Sequence, residues 1–314
     1  MRKLIISIFL FTGICSYGQN DSLRSVSDTT VQHSLNKERL YIIAGIHATG
    51  YAGTLLILSQ AWYDDQERTG FHTFNDAKEW LQMDKVGHGW TAYNIAKYST
   101  GLWEWTGMPH KRAVIYGGLS SMGYQTILEF LDAYSAKWGW SWADVGANVF
   151  GTGLYTGQEL LWKEQKLQFK YSAHRERYPG DLQTRANELY GKSLPERLLK
   201  DYNKQTYWLS LNLNSVTRNR NLPAWLNISV GYGAEGLFGG FENKGYDAEG
   251  NVIFDRPDIK RYRQWYLSPD IDFTKIKTNK QAVRSLLSFL NMIKVPAPAL
   301  EYSNGKFKGH WLHF

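Results

Sequence analysis

The 314-residue chain sets 36 Lys and Arg against 29 Asp and Glu, a formal charge of +7, and 15% of its residues are aromatic. This length allows one large or two modest domains, and a mean hydropathy of −0.43 is low for a protein built from membrane-crossing helices. With an export signal at the N-terminus the chain meets little nucleic acid, so the basic balance reads either as a partner for a membrane surface or anionic lipid or as a solvated basic surface.

That signal has a charged start, Arg2 and Lys3, an apolar core from Leu4 to Ile14, and a small-x-small cleavage site, Ser16-Tyr17-Gly18. Residues 1–18 are read as the signal peptide, and Gln19 is the expected first residue of the exported chain. Cys15 is the single cysteine. A lipidated cysteine normally follows a small residue, whereas Ile14 precedes this one. Cleavage after Gly18 therefore leaves no thiol for a disulfide in an oxidising compartment. Residues 19–37 are polar, rich in Ser, Thr and Asp, and read as a disordered linker.

Residues 38–165 contain four apolar stretches near 39–63, 85–105, 111–135 and 142–165, expected to form a four-helix bundle with a polar interior. Asp84 is placed to cap the second helix, Ser141 to cap the fourth, and Pro109 suits the start of the third. Gly117, Gly118, Gly123, Gly146, Gly151 and Gly153 imply close helix–helix approach, since each glycine in a helix interior costs about 1 kcal/mol against Ala. Charges at Lys97, Glu104, Glu129, Asp132 and Asp144 argue against bilayer spans. So does the loop at 64–83, which would be cytoplasmic but is acidic. A compact periplasmic bundle is preferred over four integral spans.

Residues 166–206 read as a charged helical connector. From 207 the period changes to two: Leu209, Leu211 and Leu213 alternate with Ser210, Asn212 and Asn214. Trp225 to Tyr232 and Tyr262 to Phe273 read as strands, and Asn304-Gly305 marks a hairpin between Ala299–Ser303 and Lys306–His313. An amphipathic helix at about 278–293, flanked by Lys275, Lys277, Lys280, Arg284 and Lys294, suits either a sheet cover or an anionic membrane. The terminal Phe314 is of the aromatic kind in which outer-membrane barrels often end, although the strands are too few for an eight-stranded barrel. The expected class is α+β: a four-helix bundle, then a small antiparallel β region (207–314) with a basic amphipathic helix.

The chemistry concentrates in 84–151. Asp84 and His88 are i, i+4 on one helix, with Lys85 beside them. Gln125, Glu129 and Asp132 share a face of the next, and Asp144 and Asn148 a face of the last. Charges on apolar helices need a reason. If the stripes meet, Asp84, His88, Glu129, Asp132 and Asp144 are the candidate catalytic groups, supported by Lys85, Gln125 and Asn148. Alternatively they form a hydrogen-bond network that fixes helix register. Asp84, His88, Glu129 and Asp132 could ligate a metal, but Glu-x-x-Asp is not the Glu-x-x-His of di-iron bundles, so no metal or other cofactor is assigned. No nucleophile elbow, phosphate loop or His-Glu-x-x-His occurs. His47 reads as a core residue and His110 as loop surface.

The ordered motifs Asp84-Lys85-x-x-His88, Glu129-x-x-Asp132 and Ser141-x-x-Asp144-x-x-x-Asn148-x-x-Gly151 resemble the YfiM-like family of bacterial periplasmic or outer-membrane proteins. They are similar, more distantly, to VanZ-like membrane proteins. The resemblance implies an envelope location. The expected function is a non-catalytic accessory or structural protein of the envelope, outer-membrane-associated and a possible partner of outer-membrane proteins. The alternative is an envelope enzyme hydrolysing or transferring a lipid-linked or phosphorylated group at Asp84, His88, Glu129 and Asp144.

Overall fold

A computed structural model describes residues 35–62, 68–219, 221–247 and 249–314. The expected signal peptide and nearly all of the expected linker lie outside the described residues. The fold is α+β. Four helices come first: α1 (Lys37–Trp62), α2 (Met83–Trp105), α3 (His110–Ala133) and α4 (Trp142–Trp162). A mainly antiparallel β half follows, built from β1 (Leu167–Ala173), α5 (Gly180–Tyr190), α6 (Leu194–Lys200), β2 (Gln205–Asn212), α7 (Leu213–Thr217), β3 (Leu226–Glu235), β4 (Lys244–Tyr246), β5 (Val252–Asp255), β6 (Tyr262–Ile271), α8 (Gln281–Leu290), β7 (Ala297–Ser303) and β8 (Lys306–His313).

The chain forms two compact units that are not colinear with it. One comprises the described residues up to Asn75 with Thr91–Gln165 and Lys277–Leu290. The other comprises Asp76–Trp90, Lys166–Ile276 and Asn291–Phe314.

In the first unit, local chemistry sets the helix ends. The Asn36 Oδ1 accepts the Arg39 amide at 3.0 Å and opens α1. Pro109 precedes α3, and the Ser141 hydroxyl accepts the Asp144 amide at 3.1 Å at the start of α4, satisfying a donor that the helix cannot. Small residues let these helices approach closely. A Cβ at Gly117 would stand 2.7 Å from the Thr100 amide nitrogen and 2.8 Å from the Ala96 carbonyl. The amphipathic helix α8 is shorter than expected, ten residues, and belongs to this unit, where the Tyr98 hydroxyl donates to the Ser288 carbonyl at 3.1 Å. Among the described residues no helix is long and apolar enough to cross a membrane, which overturns the four-span alternative. Charged and small polar residues interrupt each apolar run.

The second unit is organised by a six-stranded sheet of order β1-β2-β3-β6-β7-β8, antiparallel throughout, with β4 and β5 as a separate pair. The predicted Asn304-Gly305 turn is present, with φ of 49° and 74°, the double left-handed geometry that matches hairpin twist. Leu213 does not extend β2. The Asn212 side chain accepts the Ser215 amide at 2.8 Å and turns the chain into α7. The supposed connector 166–206 holds an edge strand, β1, and two helices, of which α6 opens with a reciprocal Ser193–Glu196 capping box. Strand β1 escaped notice because its polar residues point inward: Gln168, Lys170 and Ser172 are all buried.

That inversion runs through the sheet. Ser210 and Asn212 on β2, Asn227 and Ser229 on β3, and Ser268 and Asp270 on β6 share the buried face with Trp208 and Tyr266. The sheet curls strongly. His313 on β8 lies 5.8 Å from the ring of Trp208 on β2, although the two strands are four steps apart and would be about 19 Å apart in a flat sheet. The edge of β1 is covered by the segment before β7, with the Tyr171 amide donating to Met292 and the Lys294 amide to Tyr171, both at 2.9 Å.

Candidate functional site

In the second unit the chain enters α2 through an unusual turn. Trp80, Leu81 and Gln82 have φ of 48°, 50° and 67°, a left-handed run that costs roughly 1–2 kcal/mol per residue. Tertiary contacts hold it. The Trp80 amide donates to the Gly240 carbonyl at 2.8 Å, the Tyr232 hydroxyl donates to the Leu81 carbonyl, and Arg263 donates to the Gln82 Oε1 at 2.6 Å. The Trp80 ring packs against the buried cluster of Ala186, Tyr190 and Phe238.

This turn delivers Asp84, Lys85 and His88. Asp84 falls inside the first turn of α2, which begins at Met83; it is therefore not the N-cap expected from the sequence. The Lys85 Nζ lies 2.5 Å from an oxygen of Asp76 and 2.7 Å from one of Asp84. Asp76, Glu79 and Asp84 each offer a carboxylate oxygen within 4.8 Å of the others. Such an all-oxygen donor set suits a hard divalent cation. The Lys85 ammonium already stands between two of its members, however, and supplies the positive charge a metal would bring. His88 follows Asp84 by one turn and is partly buried. Gly87 between them allows close packing, since a Cβ there would meet the Tyr207 hydroxyl at 2.8 Å. Asp76 and Glu79 were missed in the sequence because they precede the helix and share no period with it.

In the first unit, α3 and α4 face one another across a polar seam. Ser121, Gln125 and Glu129 step along α3 at intervals of four, and Thr152, Asn148 and Asp144 step back along α4. The Ser121 and Thr152 hydroxyls are 3.2 Å apart. Gln125 donates to the Asn148 Oδ1 at 2.7 Å, and Asn148 donates to Glu129 at 3.5 Å. Gln125, Glu129 and Asn148 are each 1% exposed. The structure thus brings Gln125, Glu129 and Asn148 together. Asp144 is buried at the head of the same seam, in the first turn of α4, where the positive end of the helix dipole favours a carboxylate. Asp132 lies beyond the seam, in the last turn of α3, partly buried.

A second ionic group in this unit corrects the reading of His110 as loop surface. The His110 Nδ1 is 2.6 Å from Glu104, and its Nε2 is 3.4 Å from Glu159. Hydrogen bonding to the two glutamates raises its pKa to about 10. The sequence signal was only the pair Glu104 and His110 flanking the Pro109 turn; Glu159 is remote in the chain. His47 is a buried residue of α1, with its Nδ1 2.9 Å from the Ile43 carbonyl and its Nε2 3.2 Å from the Ser99 hydroxyl. Burial lowers its pKa.

No curated protein and no solved structure matches the chain. Residues 72–157 match the sequence profile of a family described as "Predicted periplasmic lipoprotein (DUF2279)", a segment that runs from the loop before α2 into α4 and carries all eight residues singled out from the sequence. This similarity supports a protein of the bacterial cell envelope.

Proposed function

We propose that the chain is a non-catalytic accessory or structural protein of the bacterial envelope, associated with the outer membrane, whose intrahelical polar residues fix helix register. The observation that carries this reading is mutual engagement. Lys85 is held between Asp76 and Asp84, and Gln125, Asn148 and Glu129 form a buried hydrogen-bonded row. Buried polar networks of this kind specify one packing among several. The YfiM-like order of motifs supports the same placement. The family matched by residues 72–157 is described as a predicted periplasmic lipoprotein, which favours a second reading of the leader, with cleavage before an acylated Cys15. The intact mass of the exported chain separates this from a start at Gln19.

The test is the pair Asp84→Asn and Asn148→Leu in cells, with detergent sensitivity of the envelope as the phenotype and thermal unfolding of the purified chain alongside. A register network predicts that phenotype follows the folded fraction. A variant that stays folded and loses the phenotype overturns the reading. It would favour acid–base chemistry at Asp84 and His88 on a lipid-linked or phosphorylated group. One observation favours that second reading: strained non-glycine backbone of the kind found at Trp80–Gln82 clusters at active sites.

A further inference from the structure

The six-stranded sheet carries its polar residues on the buried face and its apolar residues outside, the reverse of a soluble sheet. On the outer face the strand register aligns side chains in rows. Tyr232 pairs with Trp265, Trp265 with Tyr302, and Tyr302 with Phe307, an aromatic row across four strands. Rings within it touch, Tyr232 to Trp265 at 4.9 Å and Tyr302 to Phe307 at 5.0 Å. Two residues along, Val230 pairs with Leu267 and Leu267 with Leu300, an aliphatic row. Two residues in the opposite direction lies Arg263, exposed and donating to the Gln82 Oε1; Lys306, one residue before Phe307, pairs with Ser303 and so belongs to the other face. Val230, Trp265, Leu267, Leu300 and Tyr302 are each 45–52% exposed, and Phe307 is 71% exposed.

We infer that this face, β3-β6-β7-β8, is a membrane-docking surface that inserts into the acyl region of one lipid leaflet. A protein–protein interface is organised concentrically, with an apolar centre inside a polar rim. This face is graded along one axis instead, an aromatic row and then an aliphatic one, over a sheet whose polar residues are turned inward. That is the order of interface and hydrocarbon in a bilayer. The chain's formal charge of +7 favours a leaflet with anionic headgroups. The strand number decides between spanning and seating. The sheet has six strands, fewer than the eight of the smallest spanning barrels, so the face seats in one leaflet. The inference uses none of the residues of the helical polar seam, so its failure leaves the proposed register role untouched.

The experiment uses the chain from Gln19 onward, which has no cysteine and so no acyl anchor, and vesicles of phosphatidylethanolamine and phosphatidylglycerol at about 3:1. An environment-sensitive fluorophore is placed on Leu267→Cys, Leu300→Cys or, as control, Glu249→Cys in the β4–β5 turn. The expected result is flotation with vesicles and a several-fold, blue-shifted rise in emission at 267 and 300, quenched by lipids labelled in the acyl chain, with no change at 249. Omitting phosphatidylglycerol weakens binding, and Leu267→Glu with Leu300→Glu reduces it at least tenfold without altering the circular dichroism spectrum. Absence of flotation, or equal flotation of the double Glu variant, overturns the inference. So does a label at 267 that becomes buried without vesicles as protein concentration rises, which would assign the face to a second copy.

Discussion

Replacing Lys170 by Met probes whether the inner face of the sheet is the dry, polar interior that its burial implies. Lys170 and Asp270 are both fully buried, with Nζ 2.8 Å from the carboxylate, and Nζ also donates to the Ile271 carbonyl at 2.7 Å. At an effective dielectric of about 20 the gross attraction at that distance is roughly 6 kcal/mol. Much of it offsets the desolvation of the two charges. Removing Lys170 alone leaves the buried Asp270 with the Ser210 hydroxyl at 2.6 Å and only the Lys294 charge to offset its own, for which a loss of about 3–5 kcal/mol is expected. Lys294 responds as well. Burial chiefly holds its pKa down, to about 8, and the Lys170 charge adds to the lowering, so in the variant it moves upward. The assay is urea unfolding at pH 7 followed by tryptophan fluorescence, with the Lys170→Met, Asp270→Leu double variant as comparison. The double variant is expected to recover at least half of the loss, because a buried pair is replaced by apolar groups. A single variant within about 1 kcal/mol of the parent would show that water reaches the pair and would refute the dry interior.

Gly117→Ala gains about 1 kcal/mol in helix propensity but forces a Cβ against the Thr100 amide and the Ala96 carbonyl, both at under 3 Å; a net loss of about 1–2 kcal/mol is expected from overpacking, read as a lowered Tm. Asn148→Leu removes the acceptor 2.7 Å from the Gln125 amide and is expected to cost about 2 kcal/mol, with the Gln125→Leu, Asn148→Leu pair costing less than the sum. His110 titrates at about 10 in the folded chain against an ordinary 6.5. Its contribution is therefore complete below pH 6.5 and lost as pH rises from there through about 10. As the ring is more than one-third exposed, the stability difference between parent and His110→Gln is expected to be only about 1 kcal/mol at pH 6, vanishing above pH 10. A difference that grows with pH would reverse the assignment. Lys294 runs the other way: with its folded pKa depressed to about 8, a penalty present at lower pH is relieved between pH 8 and the ordinary lysine value, measurable as the loss of that rise in Lys294→Met.

The helices and their ends could be read from the sequence because they are local. Ser141 acts on an amide three residues away and Pro109 sets the start of α3 through its own fixed φ, and Asn304-Gly305 fixes a turn through its own dihedral angles. The stripe of Gln125 and Glu129 was visible as a spacing of four, and the structure pairs it with Asn148. The partners of Lys85 and His110 were not visible in this way. Asp76 reaches Lys85 through a left-handed turn that three non-glycine residues adopt only because remote groups hold them. Glu159 reaches His110 from a helix almost fifty residues on.

The sequence by itself determined the α+β class, the four helices and the starts of the third and fourth, the terminal hairpin and the segment 72–157 that carries the family similarity. It could not decide which side of each strand is buried. Alternation has the same period whether the polar or the apolar set faces inward, and here the polar set does. That choice was made only in the tertiary structure, where strands distant in the chain bring Lys170, Ser210 and Asp270 together and leave Val230, Leu267 and Leu300 facing out.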